Sequence, residues 1–397
     1  MTDSQYHFVV IGAGSGGLVV ASGAAGLGAR VALVEAEKMG GDCLNFGCVP
    51  SKSLLRAAHL AADIRRAESV GLSASLDEVD LGRVMDRVRS VVAEIEPHDS
   101  RERFEGLGVD VFEGRAVVAG PHSVRVGDTI LRTRNIVVAT GSSPAVPPIP
   151  GLAETPHLTN RTVFDLRSLP EHLVVLGAGP IGLELGQGFA QLGSRVTLVD
   201  MAPALFGRDD PEVGPLMEEV LRRDGLDLEL GAKIVSVAGN EREISVTVER
   251  DGPRRTISGD RLLVALGRVP NTRGLGLEEA GVRIDGRGFI EVDGHMRTSV
   301  PSIWACGDVT GPYLFTHTAG YQAALIVRNA IFPFRARADD SAVPWTTYTK
   351  PEVAHVGLTE PVARERGVLT DTVSVDLERL DRARTEGDRA GFLKLVL

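Results

Sequence analysis

Cysteine is scarce in this chain: three stand in 397 residues, at Cys43, Cys48 and Cys306. The first two lie five positions apart. A cross-link that short adds little stability to an intracellular protein, so the pair points to a redox-active disulfide rather than a staple. No second Cys/His pair stands at ligand spacing and the histidines show no metal pattern, which argues against a zinc site. A basic block is also lacking. With a formal net charge of −10, the chain is a poor partner for nucleic acid or an anionic membrane. Ser4 to Ala29 contains no Lys, Arg, Asp or Glu and resembles a signal peptide in that respect alone. Its start is acidic and it is rich in glycine, so a buried strand, a glycine turn and a helix explain it better. No other stretch approaches a membrane span. The expected compartment is the cytoplasm, and the length suits two or three domains.

Residues 40–52 read Gly-Gly-Asp-Cys-Leu-Asn-Phe-Gly-Cys-Val-Pro-Ser-Lys. Pro50 favours the first turn of a helix, with Cys48 near its N-terminus. There the helix dipole and Lys52, one turn on, favour a thiolate at Cys48. A regular helix holds residues i and i+5 too far apart for a disulfide, so Cys43 is expected on distorted backbone, with Gly40, Gly41 and Gly47 supplying the freedom. The alternatives are two buried free thiols or half of a zinc site.

Upstream, Tyr6 to Ile11 is an apolar run suited to a buried parallel strand. Gly12-Ala13-Gly14-Ser15-Gly16-Gly17 follows, then a helix to about Gly28, then Val31 to Val34 ending in Glu35. The glycines allow a tight turn, close approach to a pyrophosphate and close helix–strand packing; Glu35 can accept a ribose hydroxyl. The unit recurs. Leu173 to Leu176 leads into Gly177-Ala178-Gly179-Pro180-Ile181-Gly182, and Val196 to Val199 ends in Asp200. In both copies the acid lies 23 positions after the first glycine. One such loop is weak evidence; two in matching context imply two dinucleotides. The fold class predicted is α/β, with two Rossmann-like domains.

The whole pattern resembles the pyridine nucleotide-disulfide oxidoreductases, a family of FAD enzymes that includes glutathione reductase, dihydrolipoamide dehydrogenase and mercuric reductase. Pro50-Ser51-Lys52 with Leu55-Arg56-Ala57-Ala58-His59, Ser143 to Gly151, and Pro270-Asn271-Thr272-Arg273 look most like the mercuric reductases. The resemblance implies that the first fingerprint binds FAD and the second the nicotinamide nucleotide. It also implies FAD contacts at Gly41, Lys52, Gly114, Ala116, Thr140-Gly141-Ser142, Asp308 and Leu314-Phe315-Thr316-His317. Cys306 is read as a small core residue and His317 as a packing or helix-start residue. On the nicotinamide side it implies Glu184, Ile234 and Gly267-Arg268. At Asp200 a carboxylate accepts the 2′-hydroxyl of NAD and repels the 2′-phosphate of NADP, so NAD(H) is expected over NADP(H). Mercuric reductases commonly prefer NADPH, and Asp200 departs from that pattern.

The implied domains are a discontinuous FAD domain (1–152 and 273–340), an inserted nicotinamide domain (153–272) and a partial α+β dimerisation domain (343–397). Arg56 to Glu105 reads as mostly helical, and Ala336 to Ala342 as a linker. By family standards the last domain stops short at Leu397, without the C-terminal His-Glu pair or cysteines of relatives. That implies either a fragment or a partly lost thiol half-reaction, with a weakened homodimer. The implied chemistry is electron transfer from NADH through flavin to Cys43–Cys48. Cys48 is the thiolate beside flavin, Cys43 the interchange thiol, and Lys52 the stabiliser of charge on reduced flavin. The implied substrate is a small molecule or metal ion, with transient Hg(II) on the two thiols. The competing readings are a dihydrolipoamide dehydrogenase-type exchange and a redox sensor or assembly protein without a dedicated substrate.

Overall fold

The computed structural model describes residues 5–397. By contacts these divide into two compact units. The first comprises residues up to Pro50, Arg89–Ser143 and Arg268–Asp340; the second comprises Ser51–Val88, Pro144–Gly267 and Ser341–Leu397.

In the first unit the strands Val109–Glu113, Val31–Glu35, Tyr6–Ile11 and Thr129–Val138 lie side by side, and Ile303–Ala305 pairs with the last of them. All these pairings are parallel, with Val9 opposite both Ala32 and Ile136. Strands Ser123–Val126 and Ala116–Gly120 extend the sheet as an antiparallel meander. Both faces of the Tyr6–Ile11 strand are covered. Phe8 and Val10 enter one apolar core with Leu18 and Trp304, while Tyr6, Val9 and Ile11 enter another with Leu131 and Ile290. That explains a strand that, His7 aside, is a continuous apolar run rather than alternating. The helix Ser15–Gly26 packs on the helix Thr316–Ile331, where Gly16 and Gly23 face Ala319 and Val327.

The second unit repeats the plan. Leu226–Glu229, Arg195–Val199, His172–Leu176 and Arg261–Val264 form a parallel sheet, followed in the helix–sheet layer by Pro180–Leu192 and Val213–Arg223. An antiparallel sheet of Lys233–Gly239, Ile244–Glu249 and Arg254–Gly259 stands beside it. Residues 51–88 and 144–152 belong here by contacts, where the sequence reading set them in the FAD domain. The reason is one shared core: Leu54, Ala58 and Ala61, with Leu81, Met85 and Val88, pack among Leu183, Phe189 and Leu192. Between the helices Cys48–Arg66 and Leu81–Ile95 the expected helical run is broken by an exposed stretch at 71–80.

Residues 332–343 carry no helix or strand, which includes the expected linker. Beyond them, Trp345–Thr347 pairs with Val353–His355, and Thr372–Asp376 with Phe392–Val396. Lys394, with only 7% of its side chain exposed, holds Asp210 at 3.0 Å, Glu212 at 2.8 Å and Glu360 at 2.9 Å. Burial alone would lower its pKa, but the three carboxylates raise it, so this buried charge is fully compensated. Among the described residues no helix is long and apolar enough to cross a membrane.

Candidate active site

Gly40 adopts a left-handed backbone (φ 83°), and a short helix, Gly41–Asn45, follows. Cys43 therefore sits inside a helical turn. The distortion expected at Cys43 lies instead at Phe46 (φ −140°) and Gly47, after which the Cys48–Arg66 helix begins. Gly47 suits the close approach there, because a Cβ would come within 3.2 Å of the Cys43 Cα and 3.0 Å of the Asp42 carbonyl oxygen. The break folds Cys48 back on Cys43, and the two thiols are hydrogen-bonded. The Cys43 thiol is pushed well above the usual range, first by that hydrogen bond and then by burial. Cys48 is exposed, occupies the first position of its helix, and lies 3.6 Å from the Thr316 hydroxyl. Thr316 itself opens another helix. Cys306 is buried, and burial pushes its thiol up to about 12.

The first glycine loop is a cradle that larger residues would fill. Gly12 has φ +102°, and a Cβ there would overlap the Ala139 carbonyl; a Cβ on Gly17 would overlap the Gly12 carbonyl. A Cβ on Gly41 would meet the Gly14 Cα at 2.6 Å, so the cysteine segment is seated on the loop. The Ser15–Gly26 helix has no side-chain cap and no acidic residue in its first turn. Such a helix start suits a diphosphate. Glu35 accepts from the Ala13 N–H at 2.6 Å and the Glu37 N–H at 2.7 Å, which fixes the carboxylate beside the loop. Gly114 (φ +138°) donates its N–H to the Glu35 carbonyl, and Ala116 is buried nearby in sequence on the meander.

Thr140 and Asn271 exchange hydrogen bonds, and Gly141 turns through φ +68°. Ser142 donates its hydroxyl to Asp308. Burial raises the Asp308 pKa, while the Ser142 hydrogen bond and the Arg268 charge lower it. Arg268 donates to the Ser142 hydroxyl at 2.6 Å and carbonyl at 2.9 Å, and stands 3.1 Å from Asp42 and 3.6 Å from Asp308. The guanidinium joins the carboxylates of the first unit. Phe315 and His317 stack at 5.4 Å, which agrees with His317 as a packing residue at a helix start.

The second loop matches the first in detail. Gly177 has φ +106°, and a Cβ on Gly182 would overlap the Gly177 carbonyl. Asp200 accepts from the Ala178 N–H at 2.6 Å and the Ala202 N–H at 2.7 Å, as Glu35 does in the first unit. Gly179 precedes Pro180 and Ile181 at the start of an uncapped helix. On that helix Glu184 is buried, pairs with Lys52 at 2.7 Å and accepts from the Tyr348 N–H at 2.9 Å. The Lys52 ammonium also lies 4.2 Å from the Tyr348 ring centre. Gly267 (φ +107°) accepts from Ala145, whereas Ile234 is buried in a sheet core with Val199 and Val246.

Sequence reasoning missed four contributions: the Thr316 hydroxyl on Cys48, the Asp42–Arg268–Asp308 bridge, Tyr348 on Lys52, and Lys394 with its carboxylates. Each joins residues far apart in the chain, and no local spacing signals it. Among the described residues no group of three or more His, Cys, Asp or Glu could hold a metal ion.

The first loop, with Glu35, Ser142 and Asp308, offers the donor set and backbone clearance that FAD requires: uncapped amides for phosphate and carboxylates for hydroxyls. The second offers the same to a pyridine nucleotide. The model of the pyridine nucleotide-disulphide oxidoreductases matches residues 6–323, and that of their dimerisation domain matches 343–397. The chain is 35% identical over 395 residues to a mercuric reductase of Staphylococcus aureus, covering 100% of this chain and 72% of that protein. It is 36% identical over 400 residues to a dihydrolipoyl dehydrogenase of Thermus scotoductus, covering 98% of this chain and 84% of that protein. Among solved structures it is similar to the Cu(II) complex of the HOCl-induced flavoprotein disulfide reductase RclA from Escherichia coli. That likeness has a TM-score of 0.88 at 31% identity, covering 99% of this chain and 86% of that one. The chain belongs to the FAD-dependent pyridine nucleotide-disulphide oxidoreductases.

Proposed function

We propose that this protein takes electrons from NADH and delivers them through Cys43 and Cys48 to a metal, thiol or disulfide acceptor, in the manner of a mercuric reductase. The observation that carries this reading is the thiol pair itself: two cysteines in hydrogen-bond contact, one on the first residue of a helix and facing a threonine hydroxyl. FAD, when bound, supplies the passage between a two-electron hydride donor and sulfur chemistry. Gly12, Gly14, Ser15, Gly16, Gly17, Glu35 and Asp308 would hold it.

The protein's own residues then set where charge rests. Reducing a Cys43–Cys48 disulfide places two electrons on the sulfurs. The one proton of the hydride equivalent settles on Cys43, because the hydrogen bond to Cys48 and burial hold that thiol protonated. The negative charge falls on Cys48, where the helix dipole favours it. A thiolate beside a neighbouring thiol suits a soft metal such as Hg(II), which is substrate here and not a resident ion. Cys43 is the sulfur assigned to exchange with the acceptor, and Lys52, at the second turn of the same helix, balances charge on the cofactor.

A dihydrolipoamide-type exchange is the second reading, and Asp200 favours it. Its carboxylate is held beside the second glycine loop, where it suits NADH and opposes NADPH. The dimerisation-domain match at 343–397 supports a homodimer, and the sparse cysteines suit the cytoplasm. Turnover of NADH with Hg(II), lipoamide and a dye acceptor tests the proposal. Hg(II)-dependent NADH oxidation that is lost in both Cys43→Ser and Cys48→Ser is expected. Turnover with lipoamide alone would transfer the assignment to the second reading. Dye reduction alone, indifferent to both cysteines, would overturn the role of the pair.

A further inference from the structure

Asp42 poses an electrostatic problem. It directly precedes Cys43, and its neighbour Gly41 is packed against Gly14 of the phosphate loop, while the Gly40 N–H donates to the Ala13 carbonyl at 2.9 Å. A carboxylate is therefore carried on the segment that lies on the loop meant for a diphosphate. Asp308, a second carboxylate, belongs to the same site, and the two are close enough for Asp42 to raise the Asp308 pKa. Two acids and a diphosphate repel one another unless a cation stands among them.

Arg268 stands there. Only 12% of its side chain is exposed. Its guanidinium reaches Asp42 at 3.1 Å and Asp308 at 3.6 Å, and two hydrogen bonds to Ser142 fix its plane. A planar, permanently charged fork is suited to bridging two carboxylates in fixed geometry, as a lysine is not. The bridge also joins distant parts of the chain: the segment with the exchange cysteine, the turn bearing Asp308, and the strand that holds Arg268.

We infer that Arg268 is the counter-charge and positioning residue of the FAD site, making Asp42 and Asp308 compatible with the diphosphate and tying cofactor retention to the placement of the Cys43 helix. This rests on the assignment of FAD to the first glycine loop. It assigns Arg268 no contact with the nicotinamide nucleotide and no part in bond making.

The test is FAD release from the full-length holoprotein, followed by the rise of free-flavin fluorescence after dilution, in the wild type, Arg268→Gln, Arg268→Lys, Asp42→Asn and the double variant Asp42→Asn/Arg268→Gln. Arg268→Gln should release FAD about tenfold faster or more, the scale of one lost charged hydrogen bond. Arg268→Lys should fall between that variant and the wild type. The double variant should recover most of the lost retention, because one of the two negative charges that Arg268 faces is gone. Asp42→Asn alone should release FAD no faster than the wild type. A merely structural arginine would show no rescue by a second substitution. Release from Arg268→Gln at the wild-type rate, or a double variant as leaky as Arg268→Gln, would overturn the inference. If Arg268→Gln does not fold, Asp42→Asn decides: faster release than wild type rejects the counter-charge. A wild-type protein that takes up no FAD at all would instead sink the assignment of the loop.

Discussion

Lys52 and Glu184 meet as an ion pair of 2.7 Å although 132 positions separate them in the chain. The lysine side chain is 36% exposed and the glutamate 8%, so the partner that depends on the pair is the carboxylate. Glu184 has one further donor, the Tyr348 N–H. Lys52→Ala strands a buried carboxylate, and should lower stability by about 1–3 kcal/mol in a denaturant titration. Glu184→Gln keeps an acceptor for Tyr348 and loses only charge. It should leave the denaturation midpoint nearly unchanged while slowing reduction by NADH on the order of 10²-fold, as removal of one preorganised charged group does. Stopped-flow absorbance checks this, and equal rates in the two proteins would remove Glu184 from the electron path.

Asp200 is the residue proposed to carry the choice between nucleotides. Both its oxygens already accept backbone N–H groups, so the carboxylate cannot swing away from a 2′-phosphate. NADH should bind more tightly than NADPH by about 1–3 kcal/mol, the scale of a charged hydrogen bond. Asp200→Ala should weaken both, because the Ala178 and Ala202 amides lose their acceptor, and weaken NADH more. Titration of each nucleotide into wild type and variant gives the four constants. An unchanged NADH-to-NADPH ratio in Asp200→Ala would show that the discrimination lies elsewhere.

These two sites differ in how far they could be read from the sequence. Both glycine loops and both terminal acids were legible, since the strand, turn, helix and acid follow one another within a single unit and each has a local physical reason. Cys48 at a helix start was legible through Pro50. The backbone break was misplaced by three residues, because i to i+5 spacing says only that a break is required, not which glycine makes it. The ion pairs of Arg268 were not legible for another reason. Position in the chain sets it beside Gly267, but its guanidinium reaches across to Asp42 and Asp308, and long side chains are placed by distant charges rather than by sequence neighbours. The same holds for Tyr348 on Lys52. Residues 51–88 pack in the second unit because their apolar face finds Phe189 and Leu192, a match that periodicity announces without naming the partner.

Two thiols set a limit on alkaline stability. Cys43 and Cys306 both have folded pKa values above the usual 9.0, Cys43 through the Cys48 hydrogen bond and burial, Cys306 through burial to about 12. In the folded protein they keep protons that the unfolded chain gives up. Their contribution is therefore complete below pH 9 and is lost as pH rises above it, for Cys306 through about 12. Each thiol should add about 1.4 kcal/mol of destabilisation per pH unit in that window. Cys306→Ala should flatten the loss by about one proton's worth, while leaving the neutral-pH profile parallel to wild type. Denaturant midpoints between pH 8 and pH 10.5, under reducing conditions, measure the slope. Identical slopes with and without Cys306 would show that this thiol ionises freely.

The three glycines of the second loop serve different ends, and one of them separates binding from folding. Gly177 turns through φ +106° with the Ala265 carbonyl where a Cβ would crowd it, and Gly182 has the Gly177 carbonyl where a Cβ would sit. Gly179 has an ordinary backbone (φ −75°), and a Cβ there would meet nothing within 4 Å. The fold therefore has no need of glycine at Gly179; the need arises only when a pyrophosphate approaches the helix start. Gly182→Ala should destabilise the protein by about 1–3 kcal/mol through overpacking. Gly179→Ala should stay within about 0.5 kcal/mol of wild type, yet weaken NADH binding by about tenfold or more, equivalent to 1.4 kcal/mol. Thermal unfolding without nucleotide and a nucleotide titration are the two readings required. A Gly179→Ala protein that binds NADH as wild type does would mean that the nucleotide does not approach this loop, and the second fingerprint would then serve packing alone.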